Sequence, residues 1–160
     1  MKKLFIGMAV GAMMVFGTAQ ASNIMQEQAS QLNLGHCDMF VGEVSNAVLQ
    51  NSRHTVRLAY HDDFRAATFR VGMERNGMYK DVDVTFADVE RSGCMVNIVS
   101  TAILESRCMV LSRELNGEAN DFGLSIEVRS NPVDYYYLRD VAEGCMLTRK
   151  EILWLPKESI

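Results

Sequence analysis

The stretch AATFRVGMERNGMYKDVDVTF, residues 66–86, constrains this chain more than any other. Asn76-Gly77 is a two-residue hairpin signal, because both positions of such a turn need positive φ. Pairing outward from the turn sets Val71 against Val82, Phe69 against Val84 and Ala67 against Phe86. On the other face, Arg70 meets Asp83 and Thr68 meets Thr85. One face is apolar throughout and the other carries an ion pair and a threonine pair, so turn and register agree.

The alternation continues along the chain. His54 to Tyr60 reads as a strand through Val56, Leu58 and Tyr60. Cys94 to Leu104 is a β-rich apolar run, and Cys108 to Glu114 reads as a short strand. The polar LNGEAND at 115–121 reads as a loop. Phe122–Val128, Val133–Leu138 and Cys145–Leu155 complete the strands, with a turn at Ser130-Asn131-Pro132. Ahead of them, residues 24–34 suit a short helix ended by Gly35. Cys37, Phe40, Val41, Val44, Ala47 and Val48 recur at helical spacing, which predicts an amphipathic helix over 37–51. The fold class is therefore α+β: an N-terminal amphipathic helix packed on an antiparallel β-meander of about seven to eight strands, stapled by disulfides. A weak internal similarity runs beside this reading. VSNAVLQNSR at 44–53 resembles VSTAILESR at 99–107, and DDFRAATFRVG resembles NDFGLSIEVRS. Were 99–107 a helix, the chain would be two helix-plus-sheet repeats.

The chain begins MKKLFIGMAVGAMMVFGTAQAS. Two lysines, an apolar run from Leu4 to Phe16 and the small-x-small Ala19-Gln20-Ala21 make a secretory leader. The apolar run is short for a membrane span. The domain reading is residues 1–21 as signal peptide and 22–160 as one α+β domain. A lysine-led, compact leader points to the bacterial periplasm, with release outside the cell as the second destination. Cys37, Cys94, Cys108 and Cys145 all follow the leader, an even count in an oxidising compartment, so two structural disulfides are expected. Paired spacings such as C-x-x-C, which structural zinc and redox motifs use, do not occur. Three connectivities are open. Because SGCMV and EGCML both look like strand starts, the pairing favoured is Cys94 with Cys145, leaving Cys37 with Cys108.

The full chain carries 20 acidic and 16 basic residues, net −4, and loses Lys2 and Lys3 with the leader. That balance argues against nucleic acid and anionic membrane as partners. G-x-S-x-G, phosphate-loop and H-E-x-x-H motifs are not found in the sequence. YHDDF at 60–64 juxtaposes His61, Asp62 and Asp63, the residue types of a metal or acid–base site. They fall between two strands, where polar residues are expected, and a metal needs three or four convergent ligands. Asp81 and Asp83 form D-x-D on the exposed hairpin face without the rest of a calcium loop. In VDYYYLRD, a strand places Tyr135 and Tyr137 on one face and Tyr136 on the other. At least one is then exposed, and tyrosine is favoured at protein interfaces.

The sequence thus leads to a periplasmic protein-binding module without catalytic residues, metal or cofactor. Its partner is another envelope protein: a toxin or hydrolase that it inhibits or confers immunity to, or a component of a pilus or secretion machine that it assists. The contact residues expected are His61, Asp62, Asp63, Tyr135, Tyr136 and Tyr137, and an exposed edge strand would permit a homodimer. Two other classes remain open. An apolar ligand or lipid carrier would line its cavity with Phe69, Val84, Ile98 and Leu124. A hydrolase would gather His61, Asp62 and a second histidine in a cleft.

Overall fold

The computed structural model describes residues 22–50, 52–61, 65–75, 77–89, 92–115, 117–121 and 125–156. The leader, Asn76 of the hairpin turn, Asp62, Asp63 and Phe122–Leu124 lie outside the described residues. Helix α1 (Ser22–Ala29) and a 3-10 turn (Gly35–Cys37) lead into α2 (Asp38–Leu49). Strands β1 (Arg53–His61), β2 (Ala66–Arg75), β3 (Met78–Val89) and β4 (Gly93–Leu104) follow. Then come α3 (Cys108–Glu114), β5 (Glu118–Asp121), β6 (Ile126–Asn131), β7 (Asp134–Val141) and β8 (Gly144–Leu155).

The hairpin register is as the sequence sets it: Val71 faces Val82, Phe69 faces Val84 and Ala67 faces Phe86. Arg70 holds Asp83 at 2.9 Å and Thr68 meets Thr85 at 2.9 Å on the opposite face. Phe69 and Phe86 pack edge to face, their centroids 5.9 Å apart. Together with Val71, Val84 and Val96 they share one buried cluster with Met25 of α1, Cys37, and Val41, Val44 and Leu49 of α2. A smaller cluster joins Cys108, Val128, Leu138 and Cys145, with Leu111, Leu115 and Tyr136 packed against it.

The topology is not one meander. All eight strands form a single antiparallel sheet in the order β1-β2-β3-β4-β8-β7-β6-β5. Two four-stranded meanders meet back to back at β4 and β8, and that junction is symmetric to the residue. Cys94 faces Leu155, and Leu104 faces Cys145. The two halves repeat one plan, a helix followed by four strands. The repeat is written in the sequence as Asp88-Val89 ahead of Gly93-Cys94-Met95-Val96, and Asp140-Val141 ahead of Gly144-Cys145-Met146-Leu147. Gly93 and Gly144 both take positive φ, 104° and 143°, where a side chain would be strained. The similarity of 44–53 to 99–107 is not this repeat, since Val99–Leu104 is strand. The second match runs through residues 62–64 and 122–124, which lie outside the described residues.

The favoured cysteine pairing is overturned. The bonds are Cys37–Cys94, with Cα atoms 4.9 Å apart, and Cys108–Cys145, at 5.0 Å. Each ties the start of a helix to the start of the last strand of its own half. Cys94 and Cys145 mark equivalent positions at opposite ends of the central strand pair, too far apart to bridge. Residues 108–114 are correspondingly helix rather than strand. Cys108 and Ser112 turn inward while Met109 and Val110 are exposed, a helical periodicity that seven residues are too few to announce. Glu118–Asp121, read as loop, is strand because β6 offers it an open edge.

Non-reducing peptide mapping of the oxidised chain is expected to return Cys37–Cys94 and Cys108–Cys145 peptides and no crossed pairs. The bonds span 57 and 37 residues. Replacing either pair by serine should cost about 3–4 kcal/mol in denaturant unfolding, by the loop-closure entropy each removes from the unfolded chain.

Candidate functional site

Strand alternation divides the sheet into a helix side and an uncovered side. On the helix side each half is anchored by an aspartate. The Asp88 carboxylate, with its side chain 1% exposed, accepts a hydrogen bond from His36 Nδ1 at 2.8 Å and one from Arg65 at 3.4 Å. In the second half, Asp140 Oδ1 accepts the backbone N–H of Cys108 at 3.2 Å. Both aspartates sit four or five residues before the glycine-cysteine turn and hold the start of the disulfide-bearing helix. Burial pushes the Asp88 pKa up, but the hydrogen bonds from His36 and Arg65 outweigh it and leave the pKa below the usual carboxylate value.

The halves diverge between these anchors and the centre of the sheet. In the first half Val84 faces Ile98 and Val82 faces Ser100. At the equivalent positions of the second half, Tyr136 faces Arg149 and Asp134 faces Glu151. Arg149 grips Asp134 through Nε at 3.0 Å and a terminal nitrogen at 3.1 Å, and reaches Glu151 at 3.2 Å. Its guanidinium also lies 5.8 Å from the centre of the Tyr136 ring. The hydrogen bond with Asp134 leads the effects that raise the Arg149 pKa, against some loss from burial. One guanidinium thus serves two carboxylates, Asp134 and Glu151.

The other side of the sheet has no helix over it among the described residues. Across its middle run the row Met95 opposite Trp154, then Asn97 opposite Ile152, Val99 opposite Lys150, Thr101 opposite Thr148 and Ile103 opposite Met146. Trp154 is 55% exposed, Ile103 51% and Tyr79 63%. At the Ile103 end an open groove of about 630 Å³ is lined by Met78, Tyr79, Asp81, Thr101, Ile103 and Met146. Strand β7 adds Tyr137, also exposed, beside Thr148.

The three tyrosines expected at a contact surface divide between the two sides. Tyr137 is on the uncovered side. So is Tyr135, which donates to the Pro132 carbonyl at 2.8 Å and stacks against Arg129 at 5.1 Å. Tyr136 packs into the second cluster on the helix side and donates to Asp134. His61 closes β1 opposite Ala66, and Asp62 and Asp63 are outside the described residues. The other histidines are engaged separately: His36 with Asp88, and His54 Nδ1 with the Ser52 carbonyl at 3.1 Å. Among the described residues, no three or more histidines, cysteines or carboxylates are grouped to hold a metal. Of the proposed walls of a ligand cavity, Phe69 and Val84 are fully buried in the first cluster, Ile98 packs against it, and Leu124 is outside the described residues.

Sequence reasoning missed Ile103 and Tyr79 as surface residues and left Trp154 open between an exposed contact and core packing. Alternation within β3, β4 and β8 places them correctly once the side carrying the cysteines is known to face the helices. No known family, curated protein or solved structure matches this chain.

Two measurements check the helix-side anchors. Because the Asp88 pKa is lower folded than unfolded, its contribution to stability is complete above the unfolded carboxylate value. It is lost as pH falls through the folded one, below about pH 4. Denaturation of wild type against Asp88→Asn should therefore show a stability gap near neutral pH that closes on acidification. For the second cluster, Arg149→Ile alone strands Asp134 and should cost about 1–2 kcal/mol, since the arginine is partly exposed. Carrying all four first-half residues across (Asp134→Val, Tyr136→Val, Arg149→Ile, Glu151→Ser) should recover most of that loss, because no charge is then left unpaired.

Proposed function

We propose that this chain is a non-catalytic protein-binding module of the bacterial periplasm, delivered by its leader and held in shape by its two disulfides. The observation that carries this reading is the uncovered sheet side. Trp154, Ile103, Tyr137 and Tyr79 are all substantially exposed there, on strands whose opposite surface is fixed by the core. Large aromatic and aliphatic side chains on a rigid support are the usual anchors of a protein contact, since little entropy is lost when they are covered. The acidic balance of the chain suits a basic partner. We assign that partner to an envelope-acting toxin or hydrolase, with this protein as its inhibitor or immunity factor. The alternative role, an accessory factor of a pilus or secretion machine, uses the same surface and differs in what the partner does.

The test is crosslinking and affinity capture from a native periplasm, with wild type beside Trp154→Ser/Tyr137→Ser. A stoichiometric partner retained by wild type and lost at least 100-fold in the variant, which corresponds to roughly 3 kcal/mol of contact energy, is the expected outcome. Inhibition of a captured hydrolase assigns the inhibitor role. Capture that survives the double substitution would remove the sheet surface from the proposal.

A further inference from the structure

We infer that the uncovered sheet side is self-complementary, and that a second copy of this chain docks on it face to face, about a two-fold axis parallel to β4 and β8. The inference rests on the preceding assignment of this surface to protein binding and adds a second copy of the chain as an occupant that an envelope partner would displace.

The apolar residues supply the first argument. Met95 beside Trp154 and Ile103 beside Met146 sit at the two ends of the central strand pair, eight residues apart along β4, about 27 Å. An axis along that pair lays β4 of one copy over β8 of the other. Ile103 then covers Met146 of the partner, and Trp154 covers its Met95, each twice by symmetry. The large exposed side chain meets the less exposed, pliable one at both ends.

Charge supplies the second and selects the axis. The uncovered side of β3 carries Asp81 and Asp83, and that of β1 carries Arg53 and Arg57. Across the centre, β7 presents Arg139 with Tyr135 and Tyr137, β8 presents Lys150, and β5 presents Glu118. The axis parallel to the strands brings β3 over the partner's β7 and β1 over its β5, so that Arg57 meets Glu118 in the same row while Asp83 lies over Tyr135, beside Lys150. An in-plane axis at right angles would lay β3 on β3 and β1 on β1, carboxylate on carboxylate and guanidinium on guanidinium. That arrangement is repulsive. In the favoured arrangement Arg70 approaches Arg129, but each is already engaged, Arg70 by Asp83 and Arg129 by Tyr135. Face-to-face sheets also keep their strands within about 30° of one another, which the parallel axis permits.

Sedimentation velocity on the oxidised chain at about 50 µM, above the roughly micromolar Kd expected of such a surface, is the test. A dimer is expected. Ile103→Glu/Trp154→Glu should be monomeric with an unchanged circular dichroism spectrum, since both side chains are half exposed. Arg57→Glu and Glu118→Arg should each weaken the dimer at least tenfold, and the two together should restore it to within a few-fold. That exchange of charges keeps the test open even if the double glutamate variant folds poorly. A wild-type monomer overturns the inference, as does a dimer insensitive to all four positions. If the chain is monomeric while Trp154→Ser/Tyr137→Ser still abolishes capture of an envelope protein, self-docking fails and the binding assignment stands.

Discussion

Each half of this protein depends on one junction, where the start of a helix is fixed to the start of a strand. A disulfide makes the covalent link, Cys37 to Cys94 and Cys108 to Cys145. An aspartate beside it, Asp88 or Asp140, receives a hydrogen bond from the helix start. A glycine at positive φ turns the chain so that the cysteine points to the helix. The helices are short, and α3 has only seven residues. Helices of that length do not hold their shape alone in water. The junction supplies the order that length cannot, and the apolar strand faces then have something to pack against.

The same junction explains why the chain closes into one sheet instead of two. Each half ends in a strand whose outer edge is free, and an unpaired edge seeks a partner. Two copies of one plan offer each other the same edge, so β4 and β8 pair antiparallel about a local two-fold axis. Because both cysteines lie on one side of the sheet, both helices are drawn to that side. The opposite side is left open along the full width of the described strands.

Divergence between the halves is concentrated on the helix side. Val82, Val84 and Ile98 remain apolar beneath the longer N-terminal helices, whereas Asp134, Tyr136 and Arg149 form a paired charge cluster where α3 is too short to cover them. Polar residues are tolerated there because each finds a partner in the cluster, which offsets the cost of partial burial. On the uncovered side, the threonine pairs and the Arg70–Asp83 pair keep most of the surface wet, and the apolar residues gather at the two ends of the central strands.

Local chemistry made much of this legible in the sequence. The Asn-Gly turn and alternating residues determined the β2–β3 hairpin to the residue, and the 3.6-residue period determined α2, because both patterns span enough positions to be unambiguous. The even cysteine count implied two disulfides. Tertiary structure alone decided which cysteines pair, that 108–114 is helix, that 118–121 joins the sheet, and that β4 meets β8. A bond partner or a strand neighbour is set by three-dimensional proximity across tens of residues, which no local pattern records. The repeat was present in the letters as Asp-Val followed by Gly-Cys-Met, but its parts are short and unevenly spaced. Only the shared geometry of the two junctions singles it out from the more conspicuous likeness of two apolar runs.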